Sequence, residues 1–273
     1  MNDFKPIFNN EKLSFTREEK DGYFLISLKE FPELHEIIVN ATAWKIFSLC
    51  NGNNTLEDII NVLCEYYENV EYNQIKADMA DVLSRFTRLG LIEWEDENDP
   101  YIINNDVLYD SGYKIRLARE RDYHILFKYL NNVDYNYFYK FVSYLDTDYK
   151  DITLRAKIFY RMEDFYILLN ADDNIECVIG VMNSPSQIFR ASNLTFISNS
   201  KDLSKCSFLL SFIKDTHNDR ALQTISKIRA IIKNDNTNDS IIDMLKSLDF
   251  IKEVELKNEI NYTESVIYYS FIY

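Results

Sequence analysis

Between Asn40 and Gly90, apolar residues recur at intervals of three and four in three blocks, each bounded by residues suited to helix ends. Positions three and four apart share one helix face, so such stripes can be buried together only if the blocks are helical. Asn40 precedes the first block, which carries Ala43, Trp44, Phe47 and Cys50 and stops at Asn51-Gly52. Thr55 precedes the second, with Leu56, Ile59, Ile60, Leu63, Cys64 and Tyr67. The third carries Ile75, Met79, Val82, Leu83 and Phe86 and closes at Leu89-Gly90. Asn and Thr oxygens accept the free amides of a first turn, and glycine adopts the left-handed turn that ends a helix. Ahead of the blocks, Leu13 and Phe15, Tyr23 to Leu28 and Ile37 to Val39 read as three short strands, with Lys20-Asp21-Gly22 as a turn. Leu91 to Trp94 supplies a short strand behind them. The spacing predicts a winged-helix-like domain, a three-stranded sheet plus three helices, over residues 1–95.

Charge narrows what this first part can bind. The whole chain of 273 residues carries a formal net charge of −14. Residues 1–99 hold 9 Lys and Arg against 20 Asp and Glu, and the remainder holds 21 against 24. A duplex-binding protein needs a basic footprint to displace counterions from phosphates, so a DNA-reading winged helix and other nucleic-acid partners are not expected. A basic or neutral partner suits the acidic part better. With only 5 Gly and 4 Pro and 47% apolar residues, the chain has the composition of an ordered protein with a real core. The start, Met-Asn-Asp-Phe-Lys, has no apolar signal region, and no run reaches the ~20 apolar residues of a membrane span. Cys50, Cys64, Cys177 and Cys206 stand far apart without a CxxC pair and read as core thiols. A reduced cytoplasm and no membrane partner are the expectation.

Val39-Asn40-Ala41-Thr42-Ala43, Leu49-Cys50-Asn51-Gly52, Thr55-Leu56-Glu57-Asp58-Ile59-Ile60 and Leu89-Gly90-Leu91-Ile92 together resemble the PqqD-like family across roughly residues 12–94. Its members are recognition elements for ribosomally made, post-translationally modified peptides (RiPPs). Asn51 stands where the family usually has Asp. The resemblance implies that a precursor's leader peptide adds as a strand to the edge of the third strand and packs against the third helix. Here the edge is Glu36, Ile37, Ile38 and Val39, and the wall is Met79, Val82, Leu83 and Phe86. A free strand edge offers unpaired backbone donors and acceptors to an extended peptide. The four wall residues are equally what holds a helix onto its sheet.

Glu95-Asp96-Glu97-Asn98-Asp99-Pro100 opens a polar stretch, and a linker is expected at 96–111. Beyond it, Tyr113 to Ala118 reads as a strand, Arg119 to Leu130 as a helix and Tyr135 to Tyr144 as a second helix. Asp164 to Leu169 and Ile175 to Met182 form a hairpin around Ala171-Asp172-Asp173-Asn174, and Asn193 to Ser198 follows as a strand. Leu203 to Ile213 is a helix, Ile225 to Ile232 a strand and Ser240 to Leu248 a helix; strands at Ile251–Leu256 and Val266–Ile272 end the chain. Strands mixed with helices predict an α+β protein whose second domain, 112–273, is a mixed α/β layer.

That order resembles the GNAT acyltransferases (the Gcn5-related N-acetyltransferase superfamily), with Asn238 to Phe250 as the sharpest piece: an Asn-led helix closing in what is usually a Gly-Phe pair, here Asp249-Phe250. The resemblance implies acyl transfer from acyl-CoA or an acyl-carrier protein, with the donor's phosphates at a helix start. The corresponding residues are Lys201, Ser204, Lys205, Cys206 and Asn238. The family's Gln/Arg-x-x-Gly-x-Gly/Ala loop has no glycine here, and Leu245 stands where many members have a catalytic Tyr. Glu176, Tyr166 and His217 are candidates for acid–base chemistry by residue type. The aromatic residues crowded into 135–166 line a channel or form core. His35, His124 and His217 have no ligand spacing, and Asp235 to Ser240 lacks the glycine of a calcium loop, so no metal is expected.

Two readings remain. In one, the first domain holds a leader and the second acylates the peptide. In the other, the chain is a catalytically inactive binding or docking protein beside another modifying enzyme.

Overall fold

The computed structural model describes the chain except for residues 1–3, 35, 69, 96–99, 101–106, 109–111, 120–121, 133–137, 184–189, 200–202, 221–223, 235–237 and 262–263. Two compact units result, Met1–Asn104 and Asn105–Tyr273. The division falls inside 96–111, most of which lies outside the described residues. Val107–Leu108, within that stretch, already forms a strand of the second unit.

Unit 1 has strands β1 (Pro6–Phe8), β2 (Leu13–Glu18), β3 (Phe24–Leu28) and β4 (Ile37–Val39). Helices α1 (Ala41–Leu49), α2 (Leu56–Tyr66) and α3 (Tyr72–Arg88) follow, then β5 (Ile92–Trp94). β2, β3 and β4 make an antiparallel sheet in that order, and β1 pairs separately with β5. The helix starts form as their residues dictate. The Asn40 side chain accepts the Ala43 amide, and Thr55 and Asp58 close a reciprocal capping box. Asn51 Oδ1 accepts the amides of Asn53 and Asn54, so the departure from Asp keeps an acceptor at the turn. Ile26, Phe47, Ile59, Leu63, Met79 and Leu83 meet in the interior.

Unit 2 opens with β6 (Val107–Leu108), β7 (Lys114–Leu117), α4 (Tyr123–Asn132), β8 (Phe138–Lys140) and α5 (Asp151–Phe159). Then come β9 (Glu163–Leu169), β10 (Ile175–Met182), β11 (Ala191–Asn199), α6 (Leu203–Arg220), β12 (Lys227–Lys233), α7 (Asp239–Ser247), β13 (Ile251–Asn261) and β14 (Glu264–Ile272). The strand order is β13-β14-β12-β11-β10-β9-β7-β6, with β8 attached to β11. The pairings are antiparallel except β11 with β12, which are parallel and joined through α6. One face of the sheet carries a core with Leu126 of α4 and Leu154 and Ile158 of α5. The other carries Leu209 and Ile213 of α6 and Ile241 and Leu245 of α7. The α+β class and the mixed α/β character of the second unit are as the sequence implies. One element differs in type: Phe138–Lys140 is a strand, not part of a helix, and Tyr135 and Tyr137 lie outside the described residues. α5 is an additional helix.

Candidate functional site

The sheet of unit 1 has two outer strands, and they differ in kind. β2 is six residues long and carries Arg17 and Glu18. Charges on an edge discourage pairing with another chain. β4 is Ile-Ile-Val and pairs, among the described residues, only with β3, through Ile37, Ile38 and Val39 against Ile26, Leu25 and Phe24. Alternation buries Ile37 and Val39 and leaves Ile38 66% exposed, beside an exposed Glu36. β4 is therefore a short, uncharged strand whose outer backbone groups face away from β3.

The expected wall divides by burial. Met79, Leu83 and Phe86 are buried in the core, Phe86 edge-on against Phe47 at 4.8 Å, while Val82 is half-buried. The first three thus hold α3 to its own unit, and of the four Val82 keeps the most surface. Near the outer side of β2, Phe8, Leu13, Phe15 and Trp44 line a shallow cavity of about 390 Å³ that the sequence did not suggest.

In unit 2 the candidate acid–base residues do not form one site. Tyr166 on β9 and His217 on α6 are in contact, phenol oxygen to Nδ1 at 2.8 Å, and His217 Nε2 lies 3.1 Å from Ser192 Oγ. All three side chains are fully buried, so this is a satisfied hydrogen-bond chain between helix and sheet. Glu176 is elsewhere. Its Oε2 receives a hydrogen bond from Lys205 Nζ at 2.6 Å, and its Oε1 receives one from Asn170 at 2.9 Å. The bond to Glu176 holds the Lys205 ammonium above the ordinary lysine range. Expected base and expected phosphate-binding cation thus neutralise each other.

The remaining donor-binding candidates fit an anionic group no better. Ser204 is exposed in the first turn of α6. Cys206 is buried, with its Sγ 3.5 Å from that of Cys177, and burial pushes the Cys177 thiol up. Cys50 is buried too, its thiol pushed up to about 12, while Cys64 is half-buried. Asn238 donates to the Lys233 carbonyl at 3.2 Å. Lys201 lies outside the described residues, as do Asp235 to Thr237. At the start of α6, Lys205 is thus already paired, while residues 200–202 lie outside the described residues.

A charged cluster within unit 2 leaves no mark in the sequence. Glu163 is 1% exposed; it accepts from Lys157 Nζ at 2.7 Å, Tyr149 at 2.7 Å and Thr195. Burial raises the Glu163 pKa, and the Lys157 charge opposes that rise. A Cβ on Gly180 would meet Glu163 Oε1 at 2.5 Å and Thr195 Oγ1 at 2.2 Å, so only glycine leaves room for this cluster. Every partner is enclosed; the arrangement holds α5 to the sheet. Among the described residues no three His, Cys, Asp or Glu side chains gather as metal ligands, and no helix is long and apolar enough to cross a membrane.

Residues 32–92 match the family described as Coenzyme PQQ synthesis protein D (PqqD). The PqqD match takes in β4 and all three helices. No curated protein matches the chain. Among solved structures, a ribosomal-protein-S5-alanine acetyltransferase from Vibrio fischeri is similar at 14% identity, covering 61% of this chain and 97% of that one, with a TM-score of 0.46. An N-acetyltransferase from Staphylococcus aureus Mu50 is similar at 13% identity over 59% of this chain and 97% of that one, TM-score 0.47. A mutant spermidine N-acetyltransferase from Vibrio cholerae shows 16% identity over 60% and 95%, TM-score 0.44. The chain thus joins a PqqD-matching segment to a mixed α/β unit.

Proposed function

We propose that this protein serves RiPP biosynthesis by holding a precursor's leader peptide as an added strand on β4, and that its second unit is a docking or delivery module for a modifying enzyme. The observation that carries the reading is the β4 edge, uncharged, with Ile38 exposed, inside the PqqD match. An added strand satisfies the outer amides and carbonyls of β4, while side chains at alternate positions choose the partner. Acyl transfer from CoA or a carrier protein to the peptide is the second reading, supported by the element order of unit 2. The Lys205–Glu176 pair disfavours it, because a candidate cation and a candidate base are spent on each other.

The test uses the leader of a short precursor peptide encoded beside this chain, labelled for fluorescence anisotropy. Saturable binding is expected, weakened at least about tenfold by Ile38→Pro, which removes a strand donor, and by Ile38→Asp, which sets a charge on the edge. Because the Ile38 side chain is exposed, Ile38→Asp is expected to remain folded, and circular dichroism checks this for both variants. Unchanged affinity in both rules out strand addition at β4. Intact-mass measurement of the full precursor with acetyl-CoA then separates the two roles of unit 2: no gain fits a docking module, and an acetyl gain establishes transfer.

A further inference from the structure

The parallel strands β11 and β12 stay together for three residue pairs, Ala191–Lys227, Ser192–Ile228 and Asn193–Arg229, and then part. In α/β sheets the crevice outside the carboxyl ends of parallel strands, at the start of the connecting helix, is where ligands are received. Parting strands leave backbone groups that something must satisfy. In this chain the protein itself does so. Phe138, Tyr139 and Lys140 of β8 pair antiparallel with Ser198, Ile197 and Phe196 on the edge of β11 that β12 has left. The Phe141 amide donates to the Thr195 carbonyl at 3.0 Å, and the Ser143 hydroxyl to Leu194 at 2.6 Å. The Val142 amide donates to Ile231 of β12 at 2.9 Å, so the segment spans both sides of the opening.

Side chains fix it from both faces. Phe138 is buried in the core shared with α4 and α5, and Phe141 in the core shared with α6 and α7. Phe138 also packs on Phe196 at 5.2 Å and on Tyr144 at 5.4 Å, and Tyr144 stacks on Tyr149 at 4.2 Å. Tyr149 in turn holds Glu163. A segment anchored in both cores is a structural strand, unlike a loosely held lid.

We propose that residues 138–143 permanently fill the crevice between β11 and β12, so that the second unit receives no acyl thioester there. The pantetheine arm of CoA or of a carrier protein is an extended chain with two amides. Seated between the parted strands it would have to bond to backbone groups there, and the carbonyls of Thr195, Ile231 and Leu194 are already taken by Phe141, Val142 and Ser143. This deepens the docking reading of unit 2. Its test concerns unit 2 alone, so leader binding at β4 can fail without affecting the outcome.

The full chain is titrated with CoA and acetyl-CoA to millimolar concentration by calorimetry, with hydrogen exchange followed over 138–143. No saturable heat is expected. The Phe141 and Val142 amides should exchange as slowly as those of Ile197 and Ile231, with or without CoA. Saturable binding of either compound to the chain overturns the proposal, as does rapid exchange of those two amides in the free protein. A second measurement uses the paired variant Phe138→Ala, Phe141→Ala. If the segment is integral, removing both anchors lowers the unfolding temperature of unit 2 by roughly 10 °C or more, or unfolds it. An unchanged unfolding temperature shows a dispensable lid and overturns it equally.

Discussion

Two helices of this chain end in the same hydrogen-bond pattern with different residues at the critical position. At the end of α3 the Leu91 amide reaches back to Phe86 and that of Gly90 to Thr87, with Gly90 at φ +68°. At the end of α7 the Phe250 amide reaches Leu245 and that of Asp249 reaches Lys246, with Asp249 at φ +64°. Both are Schellman closures, in which the residue after the cap must be left-handed. Glycine adopts that conformation freely, whereas a side chain crowds the backbone. Among the described residues, Asp249 has an ion pair with Lys214, its own side chain largely exposed, to set against the strain. Asp249→Gly is therefore expected to stabilise the end of α7 by about 0.5–1 kcal/mol. Hydrogen exchange of the last α7 amides should slow by roughly two- to fivefold, and unchanged or faster exchange contradicts the account. The departure visible in the sequence thus preserved the geometry of the Gly-Phe closure. The pairing of Lys205 with Glu176 was not visible, because partners 29 positions apart meet only through the packing of α6 on β10.

Elements whose stripe and caps agree were legible, and those held by distant partners were not. All three helices of unit 1 and the strand sequence from β9 to β14 follow from local pattern. The pairing of β1 with β5 does not, since three-residue strands more than eighty positions apart carry no period. Tyr135 to Tyr144 has apolar residues at 135, 138, 139 and 142, a helix-like spacing; the parting of β11 from β12, invisible locally, makes the described part a strand. α5 is illegible locally for a related reason. Lys157 reads as a solvent residue and breaks the stripe, yet it is buried against Glu163. The capping box of α2, in contrast, gives a local prediction. Thr55→Ala removes the acceptor for the Asp58 amide and should cost about 1 kcal/mol. Trp44 and Trp94 are the chain's 2 tryptophans, so their fluorescence during urea unfolding reports on unit 1 alone. The hydrogen bond from the Thr55 side chain, followed by that from its amide, holds the Asp58 carboxyl below its ordinary value. The stability this gives is present above the unfolded-state pKa and is lost as pH falls through the lower folded-state value. In Thr55→Ala the fall in stability on acidification should be shallower; an equally steep fall would remove the capping box from the account.

At the scale of the whole molecule, charge and backbone pairing have separate roles in capturing a peptide. Residues 1–99 carry an excess of 11 negative charges, against 3 for the remainder, so a basic leader approaching the chain is drawn toward the unit that bears β4. That attraction acts through solvent and is screened over about 10 Å at 0.1 M salt. The strand hydrogen bonds formed on arrival are short-ranged and scarcely screened. Salt should therefore slow association far more than it hastens release. Between about 0.02 and 0.5 M salt, the association rate of a basic leader is expected to fall roughly tenfold, with its dissociation rate changing less than about twofold. Stopped-flow anisotropy measures both rates. Equal salt effects on the two would mean that charge pairs persist in the complex and that the edge of β4 is not its principal contact. A salt-independent association rate would mean that the acidity of unit 1 has no part in capture, leaving shape and strand pairing to select the leader unaided.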